Sequence, residues 1–554
     1  MFEEADNFCG YLPWGAFRTT SFFTLPILII CSSNPVLASS EFSVQRMAQF
    51  DVHGTPYGCR ASVLNLEAKS LYTWATSRHC VLTRLQDMTI DQFREIRAKA
   101  GGLIVLLPED IGSLSVDDRQ HILLLEQAMM AQEVSIPVYF STYNGNLEGI
   151  IKEVTANSNA KPGQRESALT EILSSISANG YQTVVSGASH SPNKQSKIPI
   201  IQGELVPSSM GMHKPSGDAN RNTVEINPKL PLIIITSHLD TFGLLNEHLA
   251  NLDVAVFLTL MDLMSKLHST MSTAPKYRIM FLLSESGSLL NFQGMKKWLD
   301  TNVDENVAIQ NAEFVLCLDA IGQGDAATLF MHVSKPPKEG THMNNFYKHL
   351  KIAAQRFGNV TVEGVHKKIN LADLILAWEH ERFSMKRMPA FTLSSLKSHK
   401  DPLRTTIFTD TNPSSLEVLE TYTKILAESL ASYIYNLNEA EIFTGSMAVT
   451  QNSLKPWLNI KSTLQNNDLK NAFNKYLKNV KQTYEKPDVR EPDFMLYEGQ
   501  EGLLNIYSVK PAVFDLFLTF LIAAYLGAIY CIIIYFPILY GVICKWNTSK
   551  VKIN

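Results

Sequence analysis

The feature that most constrains this chain is a long run with no charged residue. Residues 516–544 read LFLTFLIAAYLGAIYCIIIYFPILYGVIC. Roughly 20 apolar residues in a helix already cross the hydrocarbon core of a bilayer. A core helix of a soluble domain has no need of so long an uncharged stretch, so residues 512–544 are expected to form a transmembrane helix. Tyrosines and a tryptophan near its ends suit the membrane interface, and Pro537 is expected to mark the exit or a kink. Lys545, Lys550 and Lys552 follow it. A short basic tail stays on the cytosolic side, which assigns 545–554 to the cytosol and the bulk of the chain to the opposite side.

The other end carries a shorter apolar run, FFTLPILIIC over residues 22–31. That is the length of the apolar region of a secretory signal peptide and too short to span a bilayer. Arg18 supplies a positive flank, although Glu3, Glu4 and Asp6 are unusual there. Small residues at Val36, Ala38 and Ser40 allow cleavage after Ala38 or after Ser40. Residues 1–40 therefore read as a signal peptide. Pro26 and Pro35 weigh against the alternative of an uncleaved signal anchor. Together the two ends predict a single-pass type I membrane protein with residues 41–511 in the lumen. The sequon Asn359-Val360-Thr361 falls in that lumenal part and is expected to carry glycan; Asn547-Thr548-Ser549 falls in the tail and is expected to stay bare.

The chain has 554 residues with 45% hydrophobic and 18% charged, which describes two or three folded domains. A net charge of −4 gives no clustered basic excess for nucleic acid. The seven cysteines lack metal-type spacing. In an oxidising lumen Cys59 and Cys80 either pair or remain two buried thiols.

Strand-like runs over 102–107 and 136–140, with helical patterns over 91–100 and 120–132, predict a small α/β lobe over 41–175. A second α/β domain over 176–440 is read from apolar runs at 182–186, 198–205, 232–237, 278–283, 314–319, 328–333 and 390–393. Several are apolar throughout, as expected for strands buried on both faces. Helices are expected at 254–267, 294–299 and 344–356, and exposed loops at 161–166 and 209–222. Residues 441–511, with a helical pattern over 469–480 and the text EKPDVREPD, read as a helical stalk.

Function in an open α/β sheet gathers at the carboxyl ends of strands. That rule selects His238 and Asp240 after one strand, Glu285 after the next, Asp319 at the end of a third, and His399 after the last. Each also has an ordinary reading: a strand-end cap for Asp319, a satisfied histidine for His238, surface histidines for His399 and His380. The charged run 379–387 reads by default as a solvated helix face and Trp378 as a packing residue. No G-x-S-x-G elbow, H-E-x-x-H pair or phosphate-binding glycine loop competes.

The segments HLD, FLLSESG, CLDAIG and PAFTLSSLKSH, in this order, resemble the co-catalytic zinc aminopeptidase fold shared with the transferrin receptor and nicastrin. NAEFVLCLDAIGQG, HVSKPPKEGT, VHKKINLADLILAWEHERF, KPAVFDL and the N-terminal EFSVQRMAQFDVHGTPYG resemble the nicastrin-like nicalin family of the endoplasmic reticulum, from about residue 41 to the membrane helix. Carried over from the peptidases, His238 fits the first metal histidine, Asp240 its supporting aspartate, Asp319 a later aspartate ligand and His399 the last histidine. The bridging aspartate's place reads LLNEHLANLDVAVF, where Asn251 is the nearest match and Asp253 is displaced. The glutamate pair reads Glu285-Ser286. Catalytic zinc requires three protein ligands and an open position, so the resemblance implies a vestigial pocket, no catalytic or metal residues, and no cofactor. It further implies an assembly subunit working with nodal modulator, a small multi-pass membrane protein and the ribosome-associated translocon in multi-pass protein biogenesis. The competing readings are a membrane-anchored zinc exopeptidase and a receptor subunit of an intramembrane protease.

Overall fold

The computed structural model describes residues 40–110, 112, 114–156, 180–207, 230–239, 243–245, 252–269, 275, 277–324, 327–408, 413–437, 441–458, 467–509 and 512–550. The signal peptide expected over 1–40, apart from Ser40, and the loops expected at 161–166 and 209–222 lie outside these residues.

An eight-stranded mixed sheet carries the strand ends of interest. Its order is Thr361–His366, Thr328–Val333, Ala390–Ser394, Phe314–Leu318, Leu232–His238, Arg278–Ser284, Ile198–Leu205 and Lys478–Glu485. The four central strands, Ala390–Ser394 through Arg278–Ser284, run parallel. Every residue in them is buried, which is why they read as uninterrupted apolar runs and not as alternation. The Leu252–Ser269 helix covers one face and is buried nearly all round, because the Pro413–Tyr435, Gln451–Leu458 and Asn467–Tyr476 helices close over its outer side. Trp298, Phe292 and Met295 pack on the opposite face of the sheet.

The smaller lobe is a closed barrel. Its strand order is Ser40–Arg46, Glu501–Val509, Gly180–Ser186, Leu64–Lys69, His79–Arg84, Gly102–Leu106 and Val138–Ser141. Closure removes exposed strand edges. The barrel needs two strands from beyond the expected 41–175 lobe, and one of them lies over 300 residues away in sequence. A third, five-stranded sheet of Ser191–Asn193, Phe494–Glu498, Gln49–Val52, Thr55–Cys59 and Glu133–Val134 lies in the same part of the chain order.

Residues 441–511 do not form a helical stalk. After the two short helices, Lys478–Glu485 takes one edge of the large sheet, Phe494–Glu498 enters the five-stranded sheet and Glu501–Val509 enters the barrel. The helix expected over 469–480 stops at Tyr476. In Glu501–Val509 the burial alternates, with Gly502, Leu504 and Ile506 inside and Glu501, Leu503 and Tyr507 outside. That period of two marks a half-buried strand, and the polar text EKPDVREPD is the turn between strands.

Cys59 and Cys80 do not pair; both are free and buried. Cys59 sits with Met47, Val134 and Val138 in one apolar cluster, where its sulfur accepts the Val138 N–H at 3.3 Å. Cys80 sits with Phe42, Leu82 and Leu504 in another. Burial pushes the Cys80 thiol up to about 12, so it stays protonated and inert.

The C-terminal helix is continuous over Ala512–Lys550 and passes through Pro537. Its Leu516–Trp546 portion is long and apolar enough to cross a membrane and buries nothing against the rest of the chain.

Candidate functional site

The parallel strands deliver His238, Glu285 and Asp319 to one edge of the large sheet. His238 ends its strand, Glu285 follows Ser284, and Asp319 follows Leu318. Asp240 and Asn251 lie outside the described residues.

Asp319 is 1% exposed and is held by an arginine. Arg404 Nε donates to Asp319 Oδ1 at 3.1 Å and Arg404 Nη2 donates to Oδ2 at 2.6 Å. The guanidinium lies over the Trp378 ring at 4.4 Å and a third nitrogen donates to the His399 carbonyl at 3.3 Å. Burial alone would raise the Asp319 carboxyl; Arg404, with His238 nearby, holds it below the usual carboxylate value. A fork-to-fork pair of this kind is the strongest geometry available to a buried carboxylate.

Arg404 reaches that position from a short turn, Pro402–Arg404, capped by Asp401, whose Oδ1 accepts the Leu403 N–H at 3.0 Å. The following residues bridge to the barrel lobe. Glu126, in the Val116–Met130 helix, accepts from the Ile407 N–H at 2.8 Å and the Thr406 hydroxyl at 2.7 Å. Ile407 and Phe408 pack against the barrel lobe's cluster. A cleft of about 640 Å³ lies above this strap, with Glu109, Asp110 and Arg119 on one wall and Gln323, Thr406 and Phe408 on the other.

His238 is 2% exposed, sits edge-on to Phe292 at 5.5 Å, and lies 3.8 Å from Glu379 Oε2. Glu379 is itself fully buried and its other oxygen accepts from the Thr236 hydroxyl at 3.3 Å. Asp253, in the first turn of Leu252–Ser269, does not bridge toward a metal position. Its two oxygens accept the Ala320 N–H at 2.7 Å and the Ile321 N–H at 2.6 Å. They fix the left-handed Ala320 in the loop after Asp319. Burial and the neighbouring Asp319 push Asp253 up to about 7. Ser286, where the peptidase pattern has a ligand glutamate, accepts the Gly294 N–H at 2.9 Å and pins the start of the Gln293–Asn302 helix.

His399 is half-buried and lies edge-on to Trp378 at 6.5 Å. Burial, with Lys367 and Arg404 adding to it, lowers the ring to about 4. His332 stacks on Trp378 at 4.1 Å, shares a 2.8 Å hydrogen bond with the Leu396 carbonyl, and is lowered by burial to about 4.

The described residues do not make up a two-zinc centre. Among the described residues no group of three His, Cys, Asp or Glu side chains is placed to hold a metal ion. Both oxygens of Asp319 accept from the Arg404 guanidinium, and both oxygens of Asp253 accept from backbone N–H groups.

Sequence reasoning gathered His238, Glu285 and Asp319 at one edge and missed Arg404, Glu379 and His332. It also took 379–387 for a solvated face, whereas Glu379, His380 and Glu381 are all buried at 1% or less. His380 is not a surface histidine: its Nδ1 shares a 2.9 Å hydrogen bond with the Thr392 hydroxyl, and burial lowers it to about 3. The available signal was the apolar Trp378 and Phe383 framing the charges, which puts the run against a sheet.

No family profile matches the sequence. The human protein named BOS complex subunit NCLN is 37% identical over 547 residues, covering 93% of each chain. The zebrafish protein of the same name is 35% identical over 595 residues and covers both chains completely. The chain belongs to the nicalin family. A more distant nicalin from Caenorhabditis elegans is 27% identical over 75% of this chain and 73% of its own. Among solved structures, an aminopeptidase from Aneurinibacillus aligns at 13% identity over 74% of this chain and 85% of its own, with a TM-score of 0.28. A zinc aminopeptidase from Bacillus subtilis aligns at 11% over 78% and 91%, with a TM-score of 0.32. This member of the nicalin family thus places an arginine–aspartate pair at the ends of the strands that the peptidase-like motifs had singled out.

Proposed function

We propose that this chain is a non-catalytic assembly subunit of a BOS-type membrane complex in the endoplasmic reticulum. The Ala512–Lys550 helix anchors it as a single-pass type I protein with the barrel and the large domain in the lumen. Its partners in this reading are nodal modulator, a small multi-pass membrane protein and the ribosome-associated translocon, and its work is the biogenesis of multi-pass membrane proteins. The observation that carries the non-catalytic part is the Asp319–Arg404 pair. A cation built into the chain satisfies the carboxylate, so the strand ends offer neither a metal-bound nucleophile nor an open ligand position. The name shared by the vertebrate relatives supports assembly as the role.

The test is native purification of the full chain through a tag, with the bound proteins identified by mass spectrometry and the metals by elemental analysis. Recovery of a nodal-modulator-type lumenal protein and a small multi-pass protein, with no stoichiometric zinc, is the expected result. Stoichiometric zinc together with hydrolysis of aminoacyl substrates, both lost on His238→Ala, would replace this reading with a zinc exopeptidase. Recovery of a polytopic intramembrane protease would replace it with a receptor subunit.

A further inference from the structure

The Glu501–Val509 strand has two faces of different character. Leu504 and Ile506 point into the barrel core with Phe42, Val44 and Val185. Leu503, Tyr507 and Val509 point outward and are 46%, 36% and 37% exposed. Their register neighbours extend the same outer surface. Leu503 lies opposite Ser43 on one side and Ser186 on the other, Asn505 opposite Glu41 and Val184, Tyr507 opposite Gln182, and Val509 opposite Gly180. An outward barrel face beside water would alternate to polar residues along this strand, yet three of its outward positions are large and apolar. The charged residues on this outward surface, Glu41 and Glu501, are both acidic, so the stripe carries no cation for an anionic partner.

The position of this stripe in the chain says what it meets. Two residues, Lys510 and Pro511, separate Val509 from Ala512, where the C-terminal helix begins. Three Cα steps span at most about 11 Å. The helical residues 512–515 add about 6 Å before Leu516, the first residue of the apolar span. Val509 is therefore tethered within about 17 Å of the hydrocarbon, and the headgroup layer on each side of a bilayer occupies roughly 5–8 Å of that distance. The Val509 end of this strand is thereby held within about 9–12 Å of the headgroup layer. Tyrosine is suited to the interface, where its ring is apolar and its hydroxyl wet.

We infer that the outer face of the Glu501–Val509 strand, through Leu503, Tyr507 and Val509, rests on the lumenal lipid surface. There it engages the headgroup and upper acyl region of zwitterionic phospholipid and sets the orientation of the lumenal domains relative to the anchor. The inference rests on the membrane-anchored reading above and adds a second, strand-borne membrane contact to it.

The test uses the full chain in phosphatidylcholine nanodiscs. A photoreactive benzoylphenylalanine is placed at Tyr507 or at Val509, and as a control at Val307, which is 68% exposed on the large domain. After irradiation, lipid adducts on the corresponding peptides are quantified by mass spectrometry. Adducts at Tyr507 and Val509 about tenfold above Val307, unchanged at raised salt, are expected for apolar interfacial contact. Yields no greater than at Val307, or adducts to protein only, including to residues 157–179 of the same chain, would overturn the inference. A Gly/Ser insertion of about ten residues between Val509 and Ala512 separates affinity from tethering. Retention of the lipid adduct at Tyr507 is expected, and its loss would show that the strand face has no attraction for lipid. Alkaline extraction of the same samples keeps the two readings apart. Release of the chain from the membrane would sink the anchor itself, whereas a retained chain without adducts would sink this inference alone.

Discussion

Replacing Arg404 by methionine tests whether the charge pair, and not a metal, organises the strand ends. The substitution keeps an apolar stem against Trp378 and removes the guanidinium that holds both oxygens of Asp319 at 3.1 and 2.6 Å. Asp319 is 1% exposed, so it loses its partner with no water to replace it. Breaking a buried pair from one side costs about 3–5 kcal/mol, a large share of the roughly 5–15 kcal/mol that holds a domain together. Removing both charges with Asp319→Leu and Arg404→Met together is expected to recover most of that loss, because apolar replacement of a buried pair is often neutral. The coupling from the four-way cycle should be at least about 3 kcal/mol, because each single variant leaves a buried charge unpaired and the double variant leaves none. The assay is urea unfolding of the full chain in detergent micelles, followed by tryptophan fluorescence. The pH dependence adds a sign. With Arg404 present, the Asp319 carboxyl is held low, so its contribution persists until pH falls through that depressed value. In Arg404→Met the main influence opposing burial is gone and the carboxyl rises, so the deficit against the parent should shrink between pH 7 and pH 5. A single variant as stable as the parent, or a cycle with no coupling, would refute the reasoning.

Three further outcomes follow from the same structure. Burial pushes Glu126 up to about 7, so the folded state binds its proton more tightly than the unfolded chain and this group's contribution falls as pH rises toward 7; Glu126→Gln should therefore gain melting temperature relative to the parent more at pH 7.5 than at pH 5.5, and an equal difference at both would count against a buried titrating strap contact. Asn359 is exposed between the His342–Phe357 helix and the Thr361–His366 strand. A glycosidase mobility shift should disappear in Asn359→Gln and persist in Asn547→Gln; the reverse pattern would invert the topology. Nothing lies within 4 Å of a side chain added at Gly527 in the apolar helix, and small residues let helices approach closely in lipid. Gly527→Leu should weaken co-purification of the small multi-pass partner without changing the melting temperature, and unchanged recovery would remove that contact.

The central sheet was legible because burial on both faces leaves a plain trace. The runs at 198–205 and 328–333 coincide with observed strands, and those at 232–237, 278–283 and 390–393 stop one residue short. The closure of the barrel was not legible: the runs at 102–107, 136–140 and 182–186 fall on three of its strands, but the strands that join them come from distant parts of the chain. Gly180–Ser186 pairs with Glu501–Val509, and no local pattern announces a partner 300 residues away. The same limit explains the stalk: the period-two alternation of Glu501–Val509 was present, but no neighbouring sequence said which sheet it would join. At the site, the residues at strand termini were visible from position alone. Arg404 was not, since a single arginine in a Pro-nucleated turn acquires its meaning from the carboxylate it meets in space.

The arrangement of these parts shows what joins the strand ends to the loops around them and one lobe to the other. Here the ties are distributed. Asp319 holds Arg404 and through it the turn 401–404; Asp253 holds the loop after Asp319; Ser286 holds the next helix; and the strap beyond Arg404 is gripped by Glu126 of the other lobe. Each tie uses a hydrogen-bond donor of the chain itself. A chain built this way joins its lobes through contacts between its own residues, a property that suits the assembly role proposed above.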